Sequence, residues 1–119
     1  SKGYNLSGGN SLAEVSWNLL NSKGTTFPVK QKIPNELGLY DMTGNVAEWC
    51  ADYYNSNFYA QSPSSDPECT TGDSGMVIRG GSWSNHSSDC RTTCRLSRYA
   101  GSSASNIGLR LVLRDKNER

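Results

Sequence analysis

Apolar positions along this 119-residue chain come in short clusters separated by long polar stretches. Residues 1–10 are polar and glycine-rich and read as loop. Leu12, Val15 and Leu19 recur at a spacing that shares one helical face. Residues 11–20 therefore predict a short helix, with Ser11 as its cap and Glu14 at the capping-box position. Asn21-Ser22-Lys23-Gly24 reads as a turn. Pro28 forces Phe27 toward extended geometry. Leu37 to Met42 leads into Gly44-Asn45, a strong turn pair. Val46, Trp49, Cys50 and Tyr53 fit either a strand or a turn of helix, because periodicity does not decide over so few residues. Residues 54–75, rich in Ser, Asn, Asp, Pro and Gly, predict a long surface loop. Met76 to Gly81 is the clearest strand, ended by a Gly-Gly break. Residues 84–106 are almost all small, polar or arginine. Ile107, Leu109, Leu111 and Leu113 alternate, predicting a final strand over 107–113 with one apolar face. No internal repeat is present. The pattern describes a small, loop-rich α+β domain spanning 1–119.

Composition agrees with a modest core. Hydrophobic residues make up 34% and there are 12 glycines, so much of the chain must be loop. Three tryptophans and 9% aromatics separate it from a disordered composition. The net charge is +1, with basic residues gathered late in the chain at Arg91, Arg95, Arg98, Arg110, Arg114, Lys116 and Arg119. No basic run with interleaved aromatics accompanies them, so nucleic acid is not an expected partner. Such arginines are expected to hold loops through carbonyls and carboxylates. No apolar run approaches the length of a membrane span, and no signal peptide is visible. Ser1 is not a natural start, so a native N-terminus further upstream is expected. Asn5-Leu6-Ser7 and Asn85-His86-Ser87 fit the glycosylation sequon, which matters only in a secretory eukaryote.

Four cysteines, Cys50, Cys69, Cys90 and Cys94, form an even set in a core-poor chain and predict one or two disulfides, with three pairings open. Cross-linking would favour an extracytoplasmic or surface-displayed location. A zinc site at Cys90, Cys94 and His86 lacks the usual ligand spacing. Ser82, Ser87 and Asp89 surround the single histidine, His86, but neighbours of this kind are expected in a Ser-rich loop and make a weak case for a hydrolase. Glu48 and Asp52 make an equally weak carboxylate pair for glycoside chemistry.

Three ordered motifs carry more. They are Gly38-Leu39-Tyr40-Asp41-Met42-Thr43-Gly44-Asn45-Val46-Ala47-Glu48-Trp49, Val77-Ile78-Arg79-Gly80-Gly81-Ser82-Trp83 and Asn106-Ile107-Gly108-Leu109-Arg110. Together they resemble the formylglycine-generating enzyme (sulfatase-modifying factor) family, with strongest likeness over 35–113. The resemblance implies a variant of the C-type lectin fold, here a minimal or truncated one. Ala47 and Leu109 stand where the family has larger aromatics. In the family's enzymes, two cysteines five residues apart bind copper(I) and engage a substrate thiol. Those positions map to Asn85 and Cys90, with Ser82 retained. An amide cannot replace a thiolate for a metal that prefers sulfur. The oxidase site reads as degenerate, and no copper is expected. The Gly-Asn-(Val/Ala)-x-Glu-Trp segment implies calcium at Asn45, the Val46 carbonyl and Glu48. The motifs flanking Cys50 and Cys90 suggest pairing those two.

The stretch from Ser84 to Ser105 also resembles the variable region of retroelement-diversified proteins with this fold, in which adenine mutagenesis yields this residue set. That resemblance implies a protein-binding surface at Ser84, Asn85, His86, Ser87, Asp89, Thr92, Thr93, Arg95, Ser97, Tyr99, Ser102 and Ser103, with Tyr99 and Arg95 as hot spots. The frame would be Trp49, Ile78, Trp83, Ile107 and Leu109. The expected function is therefore non-catalytic ligand binding. A formylglycine-generating oxidase with an altered copper site and a structural module of a surface complex are the alternatives.

Overall fold

The computed structural model describes residues 2–72 and 75–115. Lys116 and Arg119 of the basic set, and residues 73–74 of the 54–75 loop, lie outside them. Four strands form one sheet, β1 Ala47–Tyr53, β2 Met76–Arg79, β3 Leu96–Arg98 and β4 Ile107–Gly108. Their spatial order is β3-β2-β1-β4. β1 and β2 pair antiparallel with Trp49 opposite Ile78, and the register shifts before Tyr53 meets Met76. β2 and β3 are antiparallel. β4 runs parallel to β1 through Ala47 and Ile107.

The ambiguous Val46–Tyr53 segment is thus a strand. Pairing on both sides decides the matter, since a strand needs neighbours for its backbone groups and a helix does not. Ala47, Val77 and Ile78 are buried. A second apolar cluster joins Leu6, Val15 and Cys90, with Leu12 packed against it.

Several expectations are corrected. The helix predicted over 11–20 is one turn, α1 Leu12–Val15, and Ser11 makes no side-chain cap bond. Tertiary pairing ends it. The Trp17 carbonyl accepts the Asn45 N–H at 2.7 Å, and Asn18 and Asn21 bond Ser16 locally, the habit that makes such residues poor helix interiors. Leu19 is therefore exposed rather than sharing a face with Val15. The final strand is two residues long. Beyond Gly108 the backbone leaves β1, and Leu109, Leu111 and Leu113 are 67%, 90% and 99% exposed, so Leu109 is no part of the frame. The 54–75 loop contains a helical turn, α2 Phe58–Gln61. The polar 84–106 stretch contains a 3-10 turn, Ser87–Cys90, as well as β3. Polar composition hid that strand because its apolar support is the single Leu96.

Candidate functional site

Gly44 and Asn45 make the left-handed turn their types allow, with φ of 74° and 63°. A Cβ at Gly44 would meet the Trp17 carbonyl oxygen at 2.3 Å. Asn45 then acts as a short piece of backbone. Its Oδ1 accepts the Phe27 N–H and its Nδ2 donates to the Phe27 carbonyl, both at 3.1 Å. Its own carbonyl accepts the Trp83 N–H at 2.8 Å. Phe27, held by this pair of bonds, stacks on Trp17 with centroids 3.9 Å apart. Buried Ser22 donates to the Trp83 carbonyl, and Thr43 accepts the Ser7 N–H. These two buried hydroxyls escaped sequence reading, because nothing separates them from the many exposed serines and threonines.

At the position where the family resemblance places the oxidase site, Ser82 is fully buried and donates to Asn85 Oδ1 at 2.6 Å. Asn85 Nδ2 donates to Asp89 Oδ2 at 3.0 Å. Ser84 Oγ lies 3.0 Å from Ser82 Oγ and accepts from Asn106 Nδ2. The amide is thus the centre of a satisfied network. Cys90 lies one helical turn on, 1% exposed. Burial, with the charge of Asp89 and then the neighbouring Cys94, pushes its thiol up to about 11. Burial thus favours the protonated thiol more strongly than at an ordinary cysteine, which makes it a poor nucleophile. His86 lies exposed beside this network, and the Ser82 hydroxyl is committed to Asn85, so no Ser-His-Asp relay is assembled.

All four cysteines are free, which corrects the expected cross-links. Cys50 opens onto a cavity that Cys69 also lines, whereas Cys90 packs with Leu6 and Val15. The expected Cys50–Cys90 pairing is not formed in this structure.

Two of the three expected calcium positions, Asn45 and Glu48, have partners within the protein. Asn45 spends its amide on Phe27, and both Glu48 carboxylate oxygens accept from Arg110, at 2.9 and 3.0 Å. Arg110 also donates to the Tyr40 and Asp41 carbonyls, and its bond to Glu48 holds its pKa up. Among the described residues no cluster of three or more His, Cys, Asp or Glu is gathered for a metal. As arranged, Asn45 and Glu48 serve protein donors, and calcium at these positions stays an expectation of the resemblance. Asp52, the other half of the carboxylate pair, accepts the Cys69 N–H.

The Ser84–Ser105 stretch divides. Ser84, Asn85 and Asp89 belong to the internal network. Ser97 lies in β3, and Ser102 is half-buried. Arg95 is half-buried, over the rings of Tyr54 and Tyr59 at 4.8 and 4.4 Å. It donates to the Asn55 and Ser56 carbonyls. His86, Ser87, Thr92, Thr93, Tyr99 and Ser103 are exposed. The expected role of the late arginines is borne out in Arg91, Arg95, Arg98 and Arg110, each of which donates to a backbone carbonyl.

The profile of the sulfatase-modifying factor enzyme 1-like domain matches residues 4–115. The chain belongs to this family. It is 42% identical over 89 residues to the formylglycine-generating enzyme of Streptomyces coelicolor, a match covering 72% of this chain and 28% of that enzyme. Among solved structures, Treponema denticola variable protein 1 superposes with a TM-score of 0.74 at 34% identity, covering 86% of this chain and 38% of that one. PvdO from Pseudomonas aeruginosa superposes at 0.72 with 30% identity, covering 83% and 39%. The fold is therefore the C-type lectin-like fold of the sulfatase-modifying factor family, as the three motifs implied, and the match extends well before residue 35. The chain spans less than half the length of each of these relatives. Within this family scaffold the Gly44-Asn45 and Gly80-Gly81 motifs serve as backbone devices that bring Trp83 and the Ser82–Cys90 turn beside the sheet. No helix among the described residues is long and apolar enough to cross a membrane.

Proposed function

We propose that this chain is a non-catalytic ligand-binding domain of the sulfatase-modifying factor family, presenting the exposed part of residues 84–105 to a protein partner. The observation that carries the reading is the state of the oxidase position. Asn85 is built into the Ser82–Asn85–Asp89 network, and Cys90 is held as a buried protonated thiol. Copper(I) chemistry needs accessible thiolates. Around that locked centre, His86, Ser87, Thr93, Tyr99 and Ser103 face solvent. They combine adaptable polar groups with one rigid aromatic, the mixture that suits a recognition surface. The likeness to a variable protein of Treponema denticola supports diversification of this surface.

Two measurements test the reading. The copper-incubated protein is mixed with a cysteine-containing sulfatase peptide and assayed by mass spectrometry. No formylglycine is expected, and conversion by the wild type would sink the proposal. The locus is also sequenced across close relatives. Substitutions should concentrate at the exposed positions between His86 and Ser103, at adenine-rich codons, with Asn45, Gly81 and Ser82 constant.

The alternative, an oxidase with altered ligands, is favoured by the identity to the Streptomyces coelicolor enzyme. It predicts conversion by the wild type, or a large gain on Asn85→Cys.

A further inference from the structure

We infer that the cavity between Arg79 and Arg95 is a binding site for a carboxylate carrying a small apolar body. The register that sets Ile78 opposite Leu96 carries Arg79 and Arg95 to the next cross-strand position. Like charges facing each other there are unfavourable. Yet among the described residues neither guanidinium is paired with a carboxylate. Arg79 donates to the Thr92 and Cys94 carbonyls and, at 2.6 Å, to the Tyr59 hydroxyl. Arg95 donates to the Asn55 and Ser56 carbonyls. A guanidinium offers about five N–H donors, so these neutral acceptors leave donor capacity and both positive charges on the cavity wall.

The cavity holds about 240 Å³ and both arginines line it, with Phe58 and Val77 on the apolar wall. That space suits one side-chain-sized group. Asp52 also lines it, with one oxygen accepting the Cys69 N–H. Its negative charge opposes a dianion such as phosphate and leaves room for a single carboxylate. Planar, forked recognition by arginine fits that geometry. Tyr59, from α2, lines the site and is itself 61% exposed, so it stands at the solvent side of the cavity. The ligand is a free carboxylate or an acidic side chain of a partner protein. Arg95 is the one binding-surface residue that lines the cavity, and it is half-buried, outside the exposed set that carries the proposed function, so the two readings fail separately.

The test is an amide-resolved NMR titration of the intact chain with phenylacetate and its neutral counterpart phenylacetamide. Phenylacetate should shift resonances of Phe58, Tyr59, Arg79 and Arg95, and phenylacetamide should bind about tenfold more weakly or worse, the loss expected for a charge-assisted bond. Arg79→Gln should remove the shifts, and Tyr59→Ala, at an exposed position, reads the same site if that variant does not fold. A capped Ala-Glu-Ala peptide that shifts the same set assigns the carboxylate to a partner chain, and phenylacetate alone assigns it to a free acid. Equal binding of acid and amide, or shifts outside the cavity, overturns the inference.

Discussion

Ser82–Cys90 and Arg91–Ser105 are alike in composition and opposite in role. In the first, Ser82 and Cys90 are at most 1% exposed, and Asn85 and Asp89 bond to each other. In the second, Tyr99 is 77% exposed. This second stretch is tied to the frame by β3, by Arg95, by the Thr92 and Cys94 carbonyls that accept from Arg79, and by the Ser105 carbonyl, which accepts from Trp83 Nε1 at 3.3 Å. Small polar residues can build an interior when each donor finds an acceptor, or a surface when water serves that purpose. Composition does not distinguish the two.

Mutations can break this contrast. The largest effect is expected at Gly81→Ala. Its φ is 69°, and a Cβ there would meet Cys90 Sγ at 2.5 Å. A loss of about 2–4 kcal/mol in chemical denaturation is expected from strain plus overpacking. Next, Asn85→Ala strips the Ser82 hydroxyl and the Asp89 carboxylate of a partner, and should cost about 1–3 kcal/mol. A near-neutral result would place Asn85 on the surface side of the division.

The third perturbation is alkaline pH. The folded Cys90 thiol ionises near 11, above the ordinary thiol range, and Cys50 is raised in the same direction by burial. In the unfolded chain both lose their protons earlier. Their contribution is therefore complete below the ordinary thiol range and is lost as pH rises toward 11. The melting temperature should fall across that window, and Cys90→Ala should flatten the fall. The smallest effect belongs to the outer stretch. Thr93→Ala and Tyr99→Ala should each change stability by less than about 0.5 kcal/mol while altering partner binding. A melting temperature that drops with binding would show that the outer stretch is structural too.

Much of the frame was legible. Gly44-Asn45 and Gly80-Gly81 announced left-handed backbone, the Met76–Arg79 strand stood out by its apolar run, and the absent thiol at Asn85 is a fact of sequence. Less was legible where an element depends on its neighbours. The helix over 11–20 stops after one turn because Trp17 pairs with Asn45. The alternating leucines after Ile107 lack a second strand to lie on. β3 exists because β2 supplies its hydrogen bonds.

The sequence alone determined the family, the turn chemistry and the presence of an amide at residue 85, since each resides in residue types at set spacings. The tertiary structure decided which serines and asparagines are interior, that Cys50 and Cys90 lie in different surroundings, that Glu48 serves Arg110, and that Arg79 and Arg95 share a cavity. Those are properties of contact between distant segments, and a polar side chain acquires its role only when folding decides whether protein or water satisfies it.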